Sequence, residues 1–206
     1  MRRQSLTLLI AFTAVVMLVA VLSGCPPRGQ GETTDGAGGG VAIENTLWLK
    51  EMNSGDDKRW KDVTSQIEKA GMDARAFLLD ALRFNDGGVR SARIREYAAL
   101  RLGQLKAPEC TIELAAALKD PDMFVSSEAA TALKAIKDPL VVPLIIEMLE
   151  ADPRPSSDAE RAMFEVLKDI TCQVTGIDYR LDEKARAETI ARCKAWWEQY
   201  SSSHRL

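Results

Sequence analysis

Cys25 is the residue of this chain with the clearest chemical context. It follows a basic head, Met1-Arg2-Arg3-Gln4, and an apolar run from Leu6 to Leu22 broken only by Thr7 and Thr13. The small residues Ser23 and Gly24 come directly before it. A basic head, an apolar segment and small residues ahead of a cut are the parts of a secretion signal. A run of this length is also near the lower limit for a membrane-spanning helix, so an uncleaved anchor is the competing reading. The small residues and the cysteine stand where cleavage needs them, which favours the signal.

Few other residues could do chemistry. His204 is the only histidine, in a Ser-rich tail expected to fray. Serine or cysteine nucleophiles therefore lack their usual base. Gly36 to Gly40 follows no strand, so it is not a phosphate loop. Cys110, Cys172 and Cys193 have no paired, zinc-type spacing. Asp56-Asp57 could hold a hard cation weakly but reads as solvated surface. These features predict no enzyme, no cofactor and no metal.

Leu22-Ser23-Gly24-Cys25 resembles the bacterial lipoprotein box. That resemblance implies lipidation of the Cys25 thiol, cleavage just before it, and a mature chain that starts at Cys25 outside the cytoplasm. It also implies three acyl chains, palmitate among them, where two already suffice for stable anchoring. In many double-membrane bacteria an Asp after the cysteine retains the protein at the inner membrane. This chain has Pro26, which favours the periplasmic face of the outer membrane.

The anchor must be followed by something that positions a folded domain. Pro26 to Gly40, PPRGQGETTDGAGGG, has no large apolar side chain and cannot bury a core. As a Gly-rich coil, about 15 residues reach roughly 20 Å. The organisation read here is a signal at 1–24, a lipidated cysteine with its tether at 25–41, and a folded domain at 42–206. About 165 residues are enough for one domain with a sizeable core. The net charge of the whole chain is −3. A mildly acidic exported chain lacks the basic face that nucleic acid needs, so nucleic acid is excluded as a partner.

The body of the chain is patterned for helices, and no alternating run is long enough for a strand. Ile94, Ala98, Leu102 and Leu105 fall on one stripe between Val89 and Leu105. Cys110, Leu114 and Leu118 form the next stripe. Ala129, Ala130, Leu133 and Ile136 follow, then Leu144, Ile145, Met148 and Leu149, then Met163, Val166, Leu167 and Ile170. A weaker first pair holds Val63, Ile67 and Ala70, then Phe77, Leu78, Leu79 and Leu82. Leu102, Leu133 and Leu167 recur at spacings of 31 and 34 residues, as do Leu105, Ile136 and Ile170. Lys106-Ala107-Pro108 and Lys137-Asp138-Pro139 mark turns inside pairs. Asp120-Pro121 and Asp152-Pro153 stand between pairs, where the Asp is expected to cap the next helix and Pro fits its first turn.

A period in the thirties with two helices per unit means a stacked solenoid. Residues 95–105, REYAALRLGQL, and 128–136, EAATALKAI, resemble the HEAT-repeat family in its short bacterial form. The fold this implies is all-α, of armadillo type: a right-handed alpha-alpha superhelix of about four helix pairs. DITCQVTGIDY at 169–179 and the helix ending in Trp196-Trp197 resemble the closing segment of some bacterial HEAT-repeat proteins, giving a cap over about 171–203. Ile190, Trp197 and Tyr200 are expected to finish the core there. Leu47, Trp48 and Leu49 are expected to close the other end.

Two side-chain sets remain. Arg90, Arg93, Tyr97 and Arg101 lie within a narrow arc of one helix and could meet an acidic partner or lipid phosphate. Alternatively the Arg stems cover the flank of the core with their heads in water. Cys172 and Cys193 fall in the last two helices, where a disulfide would pin the cap. Against it, Cys172 lies off the apolar stripe and Cys193 lies beside Ile190 and Trp197. Cys110 reads as a small core residue. The expected role is a membrane-anchored scaffold that binds another protein in the envelope, of unspecified oligomeric state. The alternatives are a phycobilin lyase-like enzyme or accessory, to which HEAT-like relatives point, and a purely structural envelope component.

Overall fold

The computed structural model describes residues 39–172 and 183–204, and every described element is helical. Cys25, residues 26–38 of its tether and Thr175-Gly176 lie outside the described residues, while residues 39–41, read as the end of the tether, already belong to the first helix. The helices are α1 (Gly39–Asn53), α2 (Asp57–Ala70), α3 (Arg75–Arg83), α4 (Val89–Leu105), α5 (Thr111–Ala117), α6 (Met123–Ile136), α7 (Val141–Leu149), α8 (Ser157–Thr171) and α9 (Glu183–His204). Single 3₁₀ turns, Gly71–Ala74 and Pro108–Cys110, lead into α3 and α5.

The helices stack as two layers. In the first layer α4 packs on α6 and α6 on α8, while α2 joins α4 through side chains. In the second layer α3 meets α5 and α5 meets α7. Across the layers α3 packs on α4, α5 on α6 and α7 on α8, so each cross-layer contact joins one pair to the next. This is an all-α solenoid. Its core is the set of stripes read from the sequence: Ile94, Leu102, Leu114, Leu133, Ile145 and Leu167 are all fully buried. The first-layer helices come close because small residues face each other. A Cβ added to Gly103 would stand 2.6 Å from Ala132 Cα.

The helix ends have local causes. Asp56 accepts from Lys58 N and Arg59 N and starts α2. Asp122 does the same for α6 through Phe124 N and Val125 N, and Ser156 starts α8 through Ala159 N. The expectation that Asp120 and Asp152 cap these helices is therefore corrected. Asp120 stands two residues before the cap residue Asp122 and Asp152 four before Ser156, and Asp120 is engaged by Arg95. Every first-layer helix ends on a left-handed residue: Gly71 (φ 55), Lys106 (φ 49), Lys137 (φ 57) and Cys172 (φ 55). Glycine takes that conformation without steric cost, whereas a Cβ is crowded there. Lys106→Gly and Lys137→Gly should each stabilise the domain by about 0.5–1 kcal/mol, net of the lost helix-dipole contact. A Tm rise of about 2–4 °C in thermal unfolding checks this; an unchanged or lower Tm contradicts it.

The two ends of the stack are closed differently. At the N-terminal end Trp48 meets the edge of Phe77, with ring centroids 5.1 Å apart, and Met52 is buried. Leu47 does not share in this packing, because it stands on the outer side of α1 and stays exposed. At the other end α9 lies against α7 and α8. Arg186 in its first turn binds Glu160 near the start of α8, and Cys193 lies 4.0 Å from Thr171 at the end of α8. So α9 runs in the same sense as α8 and closes the stack. Ile190 and Cys193 are buried. The serines expected to fray instead extend α9: Ser201, Ser202 and Ser203 donate back to Glu198 O, Gln199 O and Tyr200 O. His204 stacks on Tyr200, with centroids 4.0 Å apart.

Candidate interaction surface

The basic stripe of α4 faces α2. Arg93 lies over the Trp60 ring, 4.2 Å from its centroid, and 3.9 Å from the Asp57 carboxylate. Trp60 meets the Tyr97 ring edge-on at 5.8 Å, and the Tyr97 hydroxyl donates to Thr64 O at 3.4 Å. Arg101 lies 3.9 Å from Glu68 and donates to Gln104. Arg90 packs its guanidinium against the turn at Gly55. The four residues share one seam between α2 and α4, which joins the first pair to the second. Trp60 supplies the complementary aromatic surface.

Burial pushes the Tyr97 phenol up to about 12, against the pull of the Arg101 cation and with help from Glu68. The folded state therefore holds the proton more tightly than the unfolded chain, whose value is near 10.0. This contribution is complete below pH 10 and is lost as pH rises toward 12. Tyr97→Phe should flatten the fall in urea midpoint between pH about 10 and 12. An equally steep fall in the variant contradicts the assignment.

A different arginine carries the strongest ion pair. Arg95 is 5% exposed. Its Nε and Nη2 donate to the two carboxylate oxygens of Asp120 at 2.7 and 2.9 Å. Its Nη1 donates to Phe84 O at 3.1 Å and to Ser91 Oγ at 3.3 Å. Asp120 also accepts from Asp122 N at 2.9 Å. This one cluster ties the end of α3, the body of α4 and the start of α6. A signal for it was present in the sequence: a cation inside an apolar stripe, with an acid in the next inter-pair turn.

Other charges also join neighbouring helices. Arg75 binds Glu109, and Arg83 binds Glu113 at 2.8 Å. Arg154 binds Glu183, and Lys194 binds Glu150 at 2.6 Å. Cys172 and Cys193 are free thiols. The Cys172–Cys193 disulfide is thus corrected: Cys172 is the exposed left-handed cap of α8, while Cys193 is buried inside α9. Burial raises the Cys193 thiol, with a smaller opposing effect from Thr171. Cys110 is a buried core residue, as its stripe implied. Among the described residues no three metal-ligating side chains gather, and no helix is long and apolar enough to cross a membrane.

Much of the exposed apolar surface lies on the edges, with Leu100 on the body of α4 as an exception. Val89, Met123 and Phe124 are exposed at the starts of α4 and α6, with Val89 at 92% and Phe124 at 62%. Beside them a groove of about 200 Å³ runs between α6 and α8. Met123, Ser127, Thr131, Lys134, Arg161 and Glu165 are among its lining residues.

Fold and surface together define a helical-repeat scaffold, with an extended outer surface and an interior held by apolar stripes and cross-helix ion pairs. Residues 90–163, which span α4 through the first half of α8, match the family model of HEAT repeats. Comparison with curated proteins gives no match. Stacked repeats of this kind commonly mediate protein–protein contacts, because they present a long surface without a closed pocket.

Proposed function

We propose that this protein is a lipid-anchored scaffold of the cell envelope. Acyl chains on Cys25 hold it at the periplasmic face of a membrane, the outer one by the Pro26 criterion. The Gly-rich segment sets its distance, and the helical stack captures a protein partner without doing chemistry of its own. The observation that supports this most is the exposed edge of Val89, Met123 and Phe124 on a scaffold whose arginines are largely engaged internally. Large apolar residues clustered on an otherwise charged surface mark contact sites.

The test is crosslinking in intact cells, followed by mass spectrometry of the captured complex. The wild-type chain should capture a stoichiometric partner. Phe124→Asp should lower that capture at least about ten-fold, the loss of one central apolar anchor, with thermal stability unchanged. Equal capture by the variant removes this edge from the interface. No stoichiometric partner at all, together with a small molecule carried through purification, contradicts the scaffold reading.

A further inference from the structure

The two edges of the solenoid differ in charge. Asp57, Asp86, Asp122 and Asp158 stand at or just before the starts of the first-layer helices. Lys69, Lys106, Lys137 and Lys168 stand at their ends. These helices run in the same sense, shown by Asp57–Arg93 and Glu68–Arg101 between α2 and α4 and by the level of Gly103 with Ala132. The four lysines therefore form a row along one edge. With helix axes about 8–10 Å apart the row extends roughly 30 Å.

All four lysines are exposed, and none makes an ion pair among the described residues. The arginines Arg59, Arg93, Arg95 and Arg161, at the opposite edge, each have a carboxylate partner. Cations suit helix C-termini, which gives each lysine a local reason. At Lys106 and Lys137 that dipole contact is set against the backbone cost of a left-handed position that favours glycine. Several carboxylates share the edge, and two of them, Glu68 and Glu109, are paired there with Arg101 and Arg75. Asp138 accepts from Leu140 N, while Asp73 and Asp169 are exposed. The apolar side chains Met72, Ile112 and Leu140 are also exposed along it.

The chain enters the domain on this same side. Asn53, at the end of α1, donates to Asp86 at the acidic edge at 2.6 Å. Trp48, five residues earlier, already meets Phe77, near the start of α3. Followed backward, α1 therefore heads toward the lysine edge. Only 13 residues, 26–38, separate Cys25 from the start of α1 at Gly39. Fully extended they reach about 45 Å, and as a coil roughly 20 Å.

We propose that the lysine edge is a membrane-facing surface that binds anionic lipid headgroups, with Met72, Ile112 and Leu140 resting at the interface. This rests on the lipid-anchor reading. Near an anionic surface each lysine contributes roughly a five-fold gain, and salt removes it. The arrangement turns the exposed Phe124 edge away from the bilayer.

The test uses full-length protein extracted from expressing bacterial membranes and returned to vesicles of phosphatidylcholine, alone or with phosphatidylglycerol. Amine labelling is followed residue by residue, with Lys119 as the internal control. Lys69, Lys106, Lys137 and Lys168 should label at least about five-fold more slowly on anionic vesicles at low salt, and the protection should vanish at about 1 M salt. Lys134, in the last turn of α6 on the same edge, should share this protection, and replacing the four row lysines by Gln should abolish it. Equal labelling on both vesicles, with the protein floating with both, overturns the lysine edge alone. Failure to float with neutral vesicles overturns the anchor. Flotation with anionic vesicles at low salt would then still support the edge. Equal protection by soluble heparin would assign the row to polyanions and overturn the lipid assignment.

Discussion

Arg95→Ala should destabilise the domain by about 3–5 kcal/mol, because it leaves the Asp120 carboxylate buried without its partner. Asp120 and Arg95 have side chains only 10% and 7% exposed. Phe84 O and Ser91 Oγ would lose a donor in the same change. Arg95→Lys should recover only part of the loss, since an ammonium cannot span both carboxylate oxygens as the fork does. The double variant Arg95→Met with Asp120→Leu should be more stable than Arg95→Ala, because no charge is then left uncompensated. It should not reach wild type, because Asp122 N loses its acceptor at the turn. Urea unfolding of the four proteins checks this. A loss below about 1 kcal/mol for Arg95→Ala would show that the pair is not the tie between repeats.

Phe77→Ala should cost about 3–5 kcal/mol, the range for truncating a fully buried aromatic. Phe77 is 1% exposed and is the surface against which Trp48 closes. The loss is expected to be uneven. In a stack each unit leans mainly on its neighbours, so α1 and the α2–α3 pair should open first. Hydrogen exchange should show amides of α1 and α3 exchanging much faster while those of α6 and α8 change little. Uniform acceleration through α8 contradicts a nearest-neighbour stack. A cost below about 1 kcal/mol contradicts the packing of α1 on α3.

The sequence made the helices legible because their apolar residues recur at helical spacing and prolines punctuate the turns. Val89 to Leu105 was read with the bounds that α4 takes. The stripe of Met163, Val166 and Leu167 is buried as its period implied. Start signals were harder to read. Asp120 and Asp122 lie two residues apart, and only the three-dimensional pairing with Arg95 decides which of them caps α6. The basic stripe of α4 was visible as a stripe, but what it faces was not. Trp60 lies 33 residues before Arg93, in a helix whose own repeat signal is weak. Serines 201–203 look like a terminus that frays, yet their hydroxyls can bond to carbonyls one turn back and do so. The lysine row was present as two similar turns, Lys106-Ala107-Pro108 and Lys137-Asp138-Pro139. It becomes an edge only when the repeats are stacked in register.

The central proposal is a scaffold held at a membrane through Cys25. The most direct measurement is the intact mass of the full-length gene product isolated from membranes, with fragmentation to locate any added mass. The account predicts a chain that begins at Cys25 and carries its acyl chains on that residue, and a Cys25→Ser variant that is unprocessed or released from the membrane. A wild-type chain that keeps residues 1–24 and an unmodified Cys25 thiol would contradict it.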